Sequence, residues 1–328
     1  MNPVTSQTLL SNAWFGLIGL MLVLYVITDG FDLGVGILSL FRSKESDRDV
    51  MVQSIGHVWD ANETWLVVLG GALFGAFPAA YAMLLSDLYV PVMVLIASFI
   101  MRGAAIEFRH AASGRRPMWD RVFGIGSLLA AGSQGVILGK VITGMLPGNL
   151  NLGFVAVTAI GVVSGYVLLG ATWLVKKTTG KVEQAARRYS VISVFTTVIC
   201  AIVVSIGTFK LSPVGTGRWA DASVFHLLVA LAIVAALAFF YIVYSVNVGG
   251  ESGPFNGSMV LFVASFAGLA VSLFPNIVPG QLTIEAAASN STTLVFMLFG
   301  IGIVFPIMIC YNLFQYYWFR GKVVLVKH

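Results

Sequence analysis

The chain has 328 residues, of which 58% are hydrophobic and only 10% charged, with a formal net charge of +5. A soluble domain carries about 25% charged residues, so so few charges exclude a water-solvated globule of this size. The bilayer is the alternative solvent, and an all-α integral membrane protein is the expected class.

In chain order, Met1 to Asn12 carry no basic stretch and no small-residue cleavage site, so no signal peptide is expected. A helix needs about 20 apolar residues to cross the hydrocarbon. Nine runs meet that test, at approximately 14–41, 61–84, 87–109, 119–142, 152–175, 190–209, 223–246, 257–275 and 293–319. Nothing large interrupts them, so residues 1–328 are read as a single multi-pass membrane domain. Between the first two runs, Met51, Ile55 and Val58 recur at helical spacing behind Asp47, Arg48 and Asp49. That pattern predicts a short amphipathic helix lying on the inner surface. Cys200 and Cys310 fall in separate apolar runs and read as small core hydrophobes.

Loop charges set the expected orientation. Of 19 basic residues, 15 lie after the first, third and fifth runs and in the C-terminal tail, which ends in Lys327 and His328. Only Lys210 and Arg218 fall on the other side. The positive-inside bias then places the N-terminus outside and the C-terminus inside, which requires an odd number of crossings. The basic excess is a topology signal and gives no reason to invoke nucleic acid.

The first run holds Thr28-Asp29-Gly30-Phe31-Asp32-Leu33-Gly34-Val35-Gly36. Asp29 and Asp32 lie three residues apart, near one helix face. Asp29 is about 22 Å into the span at 1.5 Å per residue. A charge at such depth costs about 2.5–3.5 kcal/mol or more, so it faces a bundle interior or a water path. Burial also alters a carboxylate's proton affinity, which suits a group that loads and releases protons. A hydrogen-bonded packing pair is the bland alternative. Gly30 and Gly34 form a G-x-x-x-G pair expected to let two helices approach closely, and Gly71 and Gly75 read the same way.

The second run opens with His57-Val58-Trp59-Asp60-Ala61-Asn62-Glu63-Thr64-Trp65. His57, Asp60 and Glu63 are spaced by three, along one side of a helix. Asp60 also suits a helix start, and the tryptophans suit an interface. The third run carries Arg102 and Glu107. A buried guanidinium needs a carboxylate partner, for which Asp29, Asp32, Asp60 and Glu107 are candidates. Together these acids outline a polar funnel opening inward, the form expected of a proton-uptake path. The four histidines, His57, His110, His226 and His328, are too scattered for a heme, copper or zinc site within this chain.

These residues carry a family resemblance. The Thr28–Gly36 stretch resembles the hallmark of subunit II of cytochrome bd quinol oxidases, including their cyanide-insensitive branch. Trp59-Asp60-Ala61-Asn62-Glu63-Thr64-Trp65-Leu66 with Gly70-Gly71-Ala72-Leu73-Phe74 is similar to its second motif, and Arg102 with Glu107 to the end of its third helix, where other members carry an aspartate in place of Glu107. The resemblance implies nine helices, arranged as two four-helix bundles plus one peripheral helix, in the bacterial cytoplasmic membrane. It implies a heme-bearing subunit I holding heme d and two b hemes, quinol and dioxygen as the substrates of the complex, and small accessory membrane subunits. It further implies a proton path through Asp29 and Asp60, an oxygen route beginning at Trp65, a structural quinone held in this subunit, and no metal ligated by it. A proton-coupled secondary transporter using the same carboxylates is the competing reading. A scaffold that only stabilises its partner is a third.

Overall fold

The computed structural model describes residues 3–111 and 114–323; the side chains of residues 3–5 and 110 lie outside this description, as do Lys327 and His328. The described chain is built from α1 (Pro3–Ser39), α2 (Glu45–Ile55), α3 (Trp59–Ala76), α4 (Pro78–Asp87), α5 (Tyr89–Ala111), α6 (Arg116–Ile142), α7 (Asn149–Lys177) and α8 (Gly180–Leu211). There follow a short α9 (Gly215–Trp219), α10 (Ala222–Asn247), α11 (Gly253–Leu273), an antiparallel hairpin of β1 (Asn276–Val278) and β2 (Leu282–Thr283), α12 (Ile284–Ala287) and α13 (Ser291–Trp318). Among the described residues eight helices are long and apolar enough to cross a membrane, and the count is nine when the bent pair α3–α4 is taken as one span.

The run read as one span over 61–84 is two helices meeting at 118°. Proline explains the break. Pro78 has no N–H, and its ring drives the preceding residue out of the helical region. Phe77 accordingly adopts φ −133° and ψ 63°, and Pro78 becomes the first residue of α4. By contrast, Pro91 is absorbed in the first turn of α5.

Helices α1, α3, α5 and α6 form one group, and α7, α8, α10 and α11 a second. The groups meet where α1 and α6 pack on α7, while α13 lies outside against α1 and α3. Glycine permits the central contact. A Cβ on Gly34 would lie 1.8 Å from the Tyr166 carbonyl oxygen and 2.9 Å from the Gly170 nitrogen. A Cβ on Gly30 would lie 2.8 Å from the Tyr166 ring. The two backbones therefore touch, as small residues allow. Beside this crossing Phe31 stacks on Trp173 with ring centroids 4.1 Å apart. The parallel reading of Gly71 and Gly75 needs correction. Gly71 has no neighbour within 4 Å, and a Cβ on Gly75 would meet only the flexible side chain of Met297.

The amphipathic α2 buries Met51 and Ile55, with Val58 following, against α1, α7 and α8. Its position at this end of the bundle is fixed by ion pairs. Asp120 of α6, itself buried, accepts from Arg48 Nε and Arg109 Nε, each at 2.6 Å. Arg109 also reaches Asp49 at 2.5 Å. Cations on α7 and α8 close the ends of other helices. Arg187 donates to the carbonyls of Val246, Gly249 and Gly250 after α10. Lys177 donates to the carbonyls of Phe319 and Gly321 after α13. The core reading of the cysteines holds for neither in full: Cys200 is half-buried, and Cys310 is exposed because α13 is peripheral.

Gly34→Ala is expected to part α1 from α7 and to cost about 1–3 kcal/mol, the usual penalty of overpacking. Gly71→Ala should be neutral. Thermal melts of the two variants in detergent check this, and equal melting temperatures would contradict the backbone contact.

Candidate functional site

The deepest polar groups converge where α1, α3 and α5 meet. Asp29 and Asp32 project from α1 and are fully buried, as is Arg102 of α5. Arg102 forks between two helices. It donates from Nη1 to Asp29 Oδ1 at 2.5 Å and from Nη2 to Glu63 Oε2 of α3 at 2.6 Å. The rings of Phe99 and Trp59 cover the guanidinium, with centroids 5.2 Å and 6.0 Å from its central carbon. A planar, permanently charged fork suits such a double contact better than an ammonium would.

Asp32 belongs to a second branch. Its Oδ2 accepts from Asn62 Nδ2 at 2.8 Å, and Asn62 Oδ1 accepts from the Tyr316 hydroxyl of α13 at 2.6 Å. A third branch runs away from Asp29. The Tyr166 hydroxyl of α7 donates to Gln134 Oε1 of α6 at 2.5 Å, and Gln134 Nε2 donates to the Tyr25 hydroxyl of α1 at 2.8 Å. Three buried atoms in the centre have no hydrogen-bond partner among the described residues: Asp29 Oδ2, Asp32 Oδ1 and Arg102 Nε. The cluster thus sets three carboxylates against one guanidinium, with polar atoms to spare.

Glu63 is where this cluster meets the surface, its side chain 26% exposed. Asp60, one turn nearer the helix start, is exposed. The spacing argument for His57, Asp60 and Glu63 does not carry through. His57 precedes α3, so helical spacing does not apply to it; it is exposed and stacks on Phe319 at 4.3 Å. Glu107 is exposed on α5 and stands apart from Arg102, whose partners are Asp29 and Glu63. Trp65 is buried edge-on against Phe305 of α13, centroids 5.5 Å apart. Asn62, Tyr25, Gln134, Tyr166 and Tyr316 were not singled out from the sequence. The available signal was a lone polar side chain within an apolar run, and for Tyr25 a position one turn before Asp29.

Among the described residues no group of three or more His, Cys, Asp or Glu side chains comes together to hold an ion. His57 and His226 are both exposed and lie at opposite ends of the helices.

Comparison with known proteins places this geometry. Residues 10–319 match the family described as cytochrome bd terminal oxidase subunit II. The cytochrome bd ubiquinol oxidase subunit 2 of Bacillus subtilis is 27% identical over 96% of this chain and 97% of its own length. The cytochrome bd-I ubiquinol oxidase subunit 2 of Escherichia coli K12 is 31% identical over 57% of this chain. That alignment spans 54% of the Escherichia coli protein, about half its length. A chain in the solved bd oxidase of Geobacillus thermodenitrificans superposes with a TM-score of 0.77, covering 93% of this chain and 98% of that one. At 18% identity the likeness is one of fold.

Arg102→Met is expected to strand Asp29 and Glu63 without their cation. Breaking a buried pair on one side costs about 3–5 kcal/mol. Adding Asp29→Asn to Arg102→Met should recover part of that loss. Thermal unfolding of the single and double variants measures it, and a single variant as stable as wild type would remove the ion pair from the account of the fold.

Proposed function

Because the chain belongs to the cytochrome bd terminal oxidase subunit II family, as a multi-pass protein of the bacterial inner membrane, we propose that its buried carboxylates take up protons from the inner side for an oxidase that oxidises quinol and reduces dioxygen to water. The family implies a partner, subunit I, and hemes in the complex. In this reading the hemes supply the oxygen chemistry and are ligated by the partner, since His57 and His226, the histidines among the described side chains, are exposed and lie at opposite ends of the helices. Its own residues move and hold protons.

The observation that carries the proposal is the forked contact of Arg102 with Asp29 and Glu63 beside a second buried acid, Asp32. One guanidinium neutralises one of three carboxylates, and the remaining charge is where protons are held in an apolar medium. Arg102 stays protonated and cannot pass a proton on. It holds the acids in place while protons move among their oxygens. Asp60 and Glu63 form the entrance, and Asp29 and Asp32 the interior station. The uncommitted Asp29 Oδ2 and Asp32 Oδ1 are the atoms at which a proton arrives and leaves. Inward-facing entry is supported by the loop charges, which put the start of α3 on the inner side. The matches lend no support to the transporter reading.

Asp29→Asn and Asp32→Asn, made in the whole heme-bearing complex, are expected to slow oxygen uptake about 100-fold, the scale of a lost proton-transfer group. Heme absorption should be unchanged. Oxygen-electrode rates beside absorption spectra decide it, and wild-type rates in both variants would leave the chain as a scaffold. A C-terminal reporter that is active only in the cytoplasm tests the orientation, and an inactive fusion would reverse the entrance.

A further inference from the structure

The branch Tyr166–Gln134–Tyr25 is not needed to hold the ion pair, yet it ends one helical turn from Asp29. Tyr25 and Tyr166 are both buried, on α1 and α7, with the Gln134 amide between them on α6. The amide gives the branch a direction. Its oxygen accepts from Tyr166 and its nitrogen donates to Tyr25. A phenol has one O–H to donate and two lone pairs to accept with. Gln134 occupies one lone pair of Tyr25, so one donor and one acceptor site remain on that oxygen. Tyr25 precedes Asp29 by four residues on the same helix face and interacts with it electrostatically. Asp29 in turn has one oxygen bound to Arg102 and the other without a partner.

We propose that Tyr25 is the positioning residue that serves Asp29 in both of its protonation states. Toward the carboxylate, the Tyr25 O–H donates to Oδ2. Toward the carboxylic acid, the remaining lone pair of the same oxygen accepts the acid's O–H. Arg102 can only donate, so it can satisfy only the acceptor atoms of Asp29. Among the described hydroxyls facing Asp29, those of Tyr166 and Tyr316 already donate to Gln134 and Asn62, so Tyr25 is the one free to reverse its role by rotating its O–H, with Gln134 holding its oxygen still. This inference rests on the reading of Asp29 as a proton station. The groups facing Asp29 are Tyr25 and Asp32 from α1, Glu63 from α3, Arg102 from α5, Tyr166 from α7 and Tyr316 from α13, with uncharged Gln134 from α6.

The test uses the purified heme-bearing complex in liposomes, with Tyr25→Phe and Gln134→Leu beside Asp29→Asn. Tyr25→Phe keeps the ring and removes the hydroxyl. Loss of one hydrogen bond, about 0.5–1.5 kcal/mol, predicts a turnover about 3- to 10-fold lower. Because the phenol serves both protonation states, its loss moves the midpoint of the rate's pH profile only by the difference between the two hydrogen bonds, less than about one unit. The infrared carbonyl band that disappears in Asp29→Asn should shift in frequency in Tyr25→Phe. Gln134→Leu leaves both rings packed and should shift the same band by less, so it reports on the branch where Tyr25→Phe fails to assemble. An unmoved turnover and an unmoved band in the variants that assemble would overturn the proposal. If Asp29→Asn itself leaves turnover unchanged, it is the proton station that falls.

Discussion

A guanidinium closed off from water inside a lipid-embedded helix bundle dictates much of what surrounds it. Arg102 cannot shed its charge at any accessible pH, and an isolated cation there would cost several kcal/mol. Its two carboxylate partners come from different helices, Asp29 from α1 and Glu63 from α3. One side chain therefore pins three helices at a common depth. The aromatic faces of Phe99 and Trp59 complete the enclosure by offering negative ring density to the cation. What the ion pair leaves over, a second buried acid and unclaimed oxygens, is the raw material of the chemistry.

The polar branch beside the ion pair depends on how closely the two helix groups meet. Gly34 and Gly170 let α1 and α7 touch backbone to backbone, which carries Tyr166 to the side of α1 that bears Tyr25 and Asp29. Larger residues at this crossing would separate the polar branch from the acids it reaches. At the end of the bundle where α3 begins, Asp120 gathers Arg48 and Arg109, so α2, α5 and α6 are held in register there. Packing and polar geometry are thus set by the same few contacts.

The membrane class and the Thr28–Gly36 and Trp59–Leu66 motifs were legible in the sequence, because apolar runs and dense polar clusters are local signals. The partner of Arg102 was not. Glu63 is 39 residues away, and helical spacing says which residues share a face but not which face meets a neighbour. The same gap separates Asp60 and Glu107, which are exposed, from the acids that are enclosed. Asp120 escaped notice for a related reason: its role is defined by arginines from two other elements, and those arginines were read only as orientation signals. The break at Phe77 had a local cause in Pro78. Yet Pro91, Pro275 and Pro306 also sit in or near spans, and only the angle between α3 and α4 tells which proline redirects the chain.

The shortness of α3 has a consequence for the lipid itself. Its 18 residues reach about 27 Å at 1.5 Å per residue, less than the hydrocarbon thickness of about 30 Å, whereas the 32 residues of α8 overshoot it. So short a span is matched to the bilayer by local thinning, by snorkelling of its flanking side chains or by the α4 segment that continues it. Acyl-chain length thereby becomes a mechanical variable at the edge of the protein where α3 carries Asp60 and Glu63.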